Sequence, residues 1–304
     1  MFKSLIRTFA IVVAFVAGYM MPWLHVYGWT FKWMLIGMLF VTFLGIRFKR
    51  MKPERPHWLL VGANLLIALA AWSVCRASFG GGYLAEAAFF VGVMPTATAA
   101  PVVMGLLGGS VEFMLTALLL TNGIICILLP FILPMVVGRG GFEIYLSVAQ
   151  NIALVMLLPL ALALAARRFY PRAIAWPRKL KDVTFGVWVV ILVLIAANAS
   201  YDISSRDGIS ERVLEQIGAL SLLICALNFG LGHLLGGKAR SAECSQALGQ
   251  KNTTLSIYLA LTYSNPIAAL GPTFYVLWHN YGMRGSFTVR PNTGAGTEIR
   301  RFRL

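Results

Sequence analysis

Residues 89–101 read FFVGVMPTATAAP and residues 244–258 read CSQALGQKNTTLSIY. Both lie inside long apolar stretches and interrupt them with groups that a lipid-facing helix does not tolerate. Pro95 and Pro101 remove two amide donors and free backbone carbonyls where lipid offers no replacement. The second segment is the most polar part of any apolar stretch and carries Lys251, nine positions in from residue 242. That is about 14 Å along a helix, close to mid-depth in a bilayer. The interruptions centre near 98 and 250, which is 152 residues apart in a chain of 304. A glycine cluster precedes each, Gly80-Gly81-Gly82 before the first and Gly232 with Gly236-Gly237 before the second. The two halves of the chain echo each other.

Working outward, 59% of residues are hydrophobic and 12% charged, with a mean hydropathy of +0.76. A water-soluble domain carries about 25% charged residues. Continuous apolar runs such as Phe9 to Leu24 and Val183 to Ala197 exclude a β-barrel, whose strands alternate. The chain reads as an all-α polytopic membrane protein. Stretches of about 20 residues, enough to span, fall at roughly 5–24, 29–47, 57–76, 83–108, 111–137, 143–166, 182–199, 213–236, 242–264 and 266–283, ten in all. Helices four and nine are the discontinuous ones. The first stretch also follows the pattern of a signal peptide, with Lys3 and Arg7 ahead of an apolar run, but that run continues through Met20, Met21 and Trp23.

The net charge of +15 would suggest nucleic acid in a soluble chain. Here the basic residues sit in the gaps between apolar stretches, where they orient helices. With a cytoplasmic N-terminus, twenty fall inside and five outside, namely Lys32, Arg76, Arg139, Arg206 and Arg212, with Lys251 left within a span. Both termini are expected in the cytoplasm. Trp23, Trp29, Trp58 and Trp278 fall near expected helix ends, as an interfacial belt would. Five helices per half, an odd number, require the second half to be inverted relative to the first. Residues 1–166 then hold the first repeat and helix six, 167–181 a basic cytoplasmic linker, 182–285 the rest of the second repeat, and 286–304 a disordered basic cytoplasmic tail.

Inverted repeats with broken helices bind substrate near the bilayer midplane. The competing reading of residues 89–101 is a proline kink with threonines bonded back to their own helix. For Lys251 it is snorkelling toward cytoplasmic headgroups. The acids all lie in loops or near helix ends, and Glu243 is eight residues away from Lys251, about 12 Å along the same helix. An ammonium so placed is neutralised by an anionic substrate or by giving up its proton. The cysteines, Cys75, Cys126, Cys225 and Cys244, stand singly, with no metal or disulfide pattern. The histidines, His25, His57, His233 and His279, are dispersed near helix ends and read as interfacial. No paired acidic motif supports a membrane-embedded enzyme.

At these segments the sequence resembles the bile acid/sodium symporter family and its bacterial homologues. The resemblance rests on Pro95-Thr96-Ala97-Thr98-Ala99, on Pro130-Phe131-Ile132-Leu133-Pro134 and on Gly249-Gln250-Lys251-Asn252-Thr253. It implies ten helices in two inverted five-helix repeats, helices four and nine crossing, a panel formed by helices one and six with their neighbours, and a core of the rest. The family's sodium ligands are another matter. A Ser-Asn pair is replaced by Ala100 and Pro101, a Ser and a Thr by Leu118 and Asn122, and a Glu and a Gln by Ala247 and Lys251. Alanine, proline and leucine side chains cannot coordinate a hard cation.

The expectation is a sodium-independent carrier of a small organic anion, bile-acid-like or another carboxylate, without a cofactor. It would work as a monomer in the bacterial inner membrane, with Lys251 in place of the cation. Its site would comprise Lys251, Gln250, Asn252, Thr253, Thr254, Thr96, Thr98 and Asn122. A sodium-coupled symporter and a non-transporting anion receptor are the alternatives.

Overall fold

The computed structural model describes residues 2–46, 51–205 and 211–286. Among these the chain is helical throughout, apart from one isolated antiparallel bridge between Thr96 and Lys251. Twelve α-helices follow in order: α1 (Phe2–Met20), α2 (Thr30–Leu44), α3 (Arg55–Phe79), α4 (Tyr83–Val93), α5 (Ala100–Leu106), α6 (Val111–Val136), α7 (Phe142–Phe169), α8 (Trp176–Lys179), α9 (Lys181–Ser205), α10 (Glu211–Gly249), α11 (Thr253–Tyr263) and α12 (Pro266–Ser286). Five of them, α3, α6, α7, α9 and α10, are long and apolar enough to cross a membrane. Their outward side chains are apolar as well: Leu66, Val74, Phe131, Met135 and Leu234 are each more than 60% exposed. Water would make such a surface costly and hydrocarbon does not. The protein is a helical membrane protein.

Two packing groups stand out. α1 packs on α9 and α2 on α7, while α3, α4, α10, α11 and α12 pack on one another, with α6 between them and α7. Small residues bring the backbones together, as is usual where lipid supplies no hydrophobic drive. A Cβ added at Gly92 of α4 would lie 2.5 Å from Ala68 Cα and 2.8 Å from Ala68 N of α3.

The expected eighth span and the start of the ninth are two helical arms, together labelled α10, that meet at non-helical backbone at Gly237 (φ +54°, ψ −153°) and Arg240 (φ −134°, ψ +20°), within the gap expected between residues 236 and 242. Gly232 faces the returning arm so closely that an added Cβ would lie 2.8 Å from Ser245 Cα. Only glycine adopts the Gly237 conformation readily, and a side chain there costs about 1–3 kcal/mol. Gly237→Ala should therefore lower the melting temperature measurably. Gly230→Ala on the same helix, where an added Cβ meets nothing within 4 Å, should not.

The expected linker is more structured than a loop. α7 continues to Phe169, a 3-10 turn covers Pro171–Ala175, and α8 follows, while Arg167 donates to the Ile46 carbonyl. The expected tail lies outside the described residues beyond Ser286. Trp23, Trp29 and Trp58 are exposed near helix ends. Trp278 is half-buried within α12 and donates to the Gly218 carbonyl at 3.1 Å.

Candidate functional site

The first helix break follows from proline chemistry. Pro95 has no N–H to give to the Val91 carbonyl and excludes the helical conformation for the residue before it. Met94 accordingly turns to φ −52°, ψ +129°, and α4 stops at Val93. The chain re-enters a helix at Ala100, with Pro101 in the first turn, where a missing donor costs nothing. In the second half, the returning arm of α10 ends at Gly249 and α11 starts after Asn252. The Asn252 carboxamide oxygen caps α11 by accepting from Leu255 N at 3.3 Å.

The two breaks meet. Ala97 N donates to the Gln250 carbonyl at 2.8 Å, and Asn252 N donates to the Pro95 carbonyl at 2.8 Å. This places Thr96 opposite Lys251 in an antiparallel bridge. Helix ends buried in a membrane must satisfy their free carbonyls within the protein, and here named donors do so. Ser256 Oγ donates to the Phe90 carbonyl at 2.6 Å and Asn64 Nδ2 to the Val93 carbonyl at 3.0 Å. Thr96 Oγ1 donates to the Ala247 carbonyl at 2.8 Å, the Tyr275 hydroxyl to Gly249 at 2.8 Å, and Asn122 Nδ2 to Thr96 at 3.0 Å.

Lys251 completes the set. Its side chain is 1% exposed. Nζ donates to Asn64 Oδ1 and, at 3.3 Å, to the Gly92 carbonyl in the last turn of α4. A cation at a helix C-terminus sits at the negative end of the helix dipole. The ammonium thus faces the end of a half-helix and a neutral amide, with no carboxylate among its hydrogen-bond partners. Glu243 instead pairs with Arg240 at 3.6 Å and accepts from Ser110 N at 3.1 Å.

The sequence-derived residues divide into three groups. Thr96, Gln250, Lys251, Asn252 and Asn122 form the junction itself, with Gln250 Nε2 also donating to Gln246 Oε1. Thr253 and Thr254 are buried in the first turn of α11. Thr98 lies in the turn into α5, half-buried, and makes none of the hydrogen bonds that join the segments. The competing reading of threonines bonded back to their own helix does not hold for Thr96, whose hydroxyl crosses to the other half of the chain. Two polar atoms at the junction are buried without a partner, Asn122 Oδ1 and Asn252 Nδ2.

Sequence reasoning missed Asn64, Thr121, Ser256 and Tyr275. Asn64 is the single amide in the apolar run Trp58–Ala71 and was legible as an anomaly. Thr121 adjoins Asn122; its hydroxyl oxygen accepts from Thr96 N at 3.2 Å and lies within hydrogen-bond reach of Thr96 Oγ1 at 3.0 Å. Two histidines read as interfacial are buried. His57 Nδ1 accepts from Glu54 N at 2.8 Å and its Nε2 meets the Phe113 carbonyl at 3.0 Å, and His279 lies within α12. Among the described residues, no group of three or more His, Cys, Asp or Glu side chains is placed to hold a metal. Comparison with protein-family models and with curated proteins finds no match for the chain.

Proposed function

We propose that this protein is a secondary transporter of a small organic anion. On this reading it has ten spans in two inverted five-helix repeats: α4–α5 form the broken fourth span, and the returning arm of α10 with α11 forms the broken ninth. One observation carries the reading, the antiparallel bridge by which two interrupted helices from opposite halves join around the buried Lys251 side chain. Irregular backbone at membrane depth occurs where it is enclosed by protein or lines a solute path. In this role Lys251 is a tethered cation. It does what a bound metal ion would do for carbonyls released by helix breaks, and it ties α3, α4 and α11 together. The unpartnered Asn122 Oδ1 and Asn252 Nδ2 are the groups that a solute entering the crevice would meet. Alternating access would come from motion of the α1, α2, α7 and α9 group against the remaining helices.

Uptake of radiolabelled carboxylates and sulfonates into proteoliposomes tests this. Flux is expected, and replacing external sodium by choline should change the initial rate by less than twofold. Strict sodium dependence would refute the tethered-cation role. Binding without flux would favour a receptor.

A further inference from the structure

A second cation lies away from the crossing, where the two packing groups meet. Lys32, in the first turn of α2, is half-buried, and its Nζ donates to Asn151 Oδ1 of α7 at 2.8 Å. The same Asn151 oxygen accepts from the Tyr258 hydroxyl of α11 at 3.1 Å. Asn151 Nδ2 donates to the Tyr263 hydroxyl at 2.7 Å, and that hydroxyl donates on to the Ser147 carbonyl at 2.9 Å. Two donors that can turn to an anion, the Lys32 ammonium and the Tyr258 hydroxyl, therefore converge from two helices on one amide oxygen, while Asn151 Nδ2, which also donates to the Ser147 carbonyl at 3.1 Å, and Tyr263 hold that amide in place. The ammonium has three donors and here uses one of them on a neutral oxygen; no carboxylate among the described residues pairs with it.

The contrast with Lys251 is chemical. Lys251 is sealed at 1% exposure behind the junction, and its contacts are with protein acceptors. Lys32 is accessible, its partner is a weak one, and its cluster bridges α2 and α7 on one side and α11 on the other. Tyr258 is six residues beyond Asn252, about 9 Å along the axis of α11. Tyr263 also borders a shallow recess lined by Leu133, Pro134, Val137, Ile144, Val148 and the basic Arg139.

We infer that Lys32, Asn151, Tyr258 and Tyr263 form an anion subsite that takes the carboxylate or sulfonate of an organic solute, with Lys32 meeting its charge. Deepening the transporter reading, this moves recognition of substrate charge from Lys251 to Lys32. The bound anion displaces Asn151 Oδ1 from the ammonium and accepts from Nζ and the Tyr258 hydroxyl, so binding loosens the contact between α7 and α11.

The test is a thermal-shift titration of the purified full chain with benzoate, taurocholate and benzenesulfonate, and with the uncharged analogue benzamide, alongside proteoliposome uptake of the same anions. At least one of the anions should raise the melting temperature of the wild type, and benzamide should not. Lys32→Met should weaken that anion at least tenfold, Lys32→Arg should restore most of its affinity, and Tyr258→Phe should weaken it by a smaller factor. Equal affinity in wild type and Lys32→Met overturns the subsite, as does the absence of stabilisation by any of the three anions. A Lys32→Met variant too unstable to purify would be replaced by Lys32→Gln, read against the same thresholds. Charge-dependent binding without flux would sustain the subsite while refuting transport; flux that is insensitive to Lys32 substitution would do the reverse.

Discussion

Lys251→Met should abolish uptake, lowering initial rates at least a hundredfold, while leaving the protein folded. The substitution leaves Asn64 Oδ1 and the Gly92 carbonyl without their lysine donor. Each unmet buried acceptor costs roughly 1–3 kcal/mol. Against this, the variant no longer has to strip water from an ammonium, a cost that is several kcal/mol per buried ion. The two effects are of similar size and opposite sign, so the melting temperature should move by only a few degrees. Loss of flux then reports the junction and not the fold. Lys251→Gln separates donation from charge, since an amide can still donate to Asn64 and Gly92 but carries no positive charge toward the end of α4. It should also be inactive without sodium. Sodium-independent uptake by the glutamine variant would show that hydrogen bonding is sufficient and would remove the tethered cation from the mechanism.

Gly92→Ala should be disruptive out of proportion to the single methyl group it adds. The added Cβ would meet backbone atoms, Ala68 Cα at 2.5 Å and Ala68 N at 2.8 Å, which cannot rotate away as a side chain would. Ordinary contact requires about 3.5 Å or more, so α3 and α4 must separate by about 1 Å. Overpacking of this kind costs roughly 1–3 kcal/mol. The functional loss should exceed the loss of stability, because the two acceptors of Lys251 sit on the two helices being forced apart, Asn64 on α3 and Gly92 on α4. Thermal melting and uptake should both fall. Gly62→Ala, on α3 with nothing within 4 Å of an added Cβ, is the matched control. Equal behaviour of the two variants would show that the close approach is not needed.

Both experiments probe a junction that was only half readable from the chain. Breaks at 95–101 and 249–252 are legible because proline lacks a donor and because a lysine and two amides in an apolar stretch have no lipid-compatible alternative. That the breaks belong together was legible from their spacing of half a chain length. The partners were not. Asn64 is 187 residues from Lys251 in sequence, and nothing local to either residue encodes the pairing. Thr98 is the converse case: it has the same residue type two positions on from Thr96, yet it lies in the turn before α5 and makes none of the hydrogen bonds that join the segments. His57 and His279 show a related limit, since position near a helix end does not say whether another helix covers the side chain. The break at Gly237, by contrast, was legible, since Gly236-Gly237 reads as a span boundary and the backbone there is non-helical.

The sequence by itself determined that this is a helical membrane protein, where its helices must break, and that a basic side chain must be accommodated at depth. These are properties of single segments, set by the transfer of apolar side chains, by missing amide donors and by the cost of an unshielded charge. Only the tertiary structure decided what answers those demands: that the carbonyls freed in one half are met by donors from the other, that Lys251 turns toward Asn64 and the end of α4, and that Lys32 keeps an accessible ammonium between two packing groups. Hydrogen bonds act over about 3 Å, and which groups come that close depends on helix rotations and crossings fixed by packing along the whole chain.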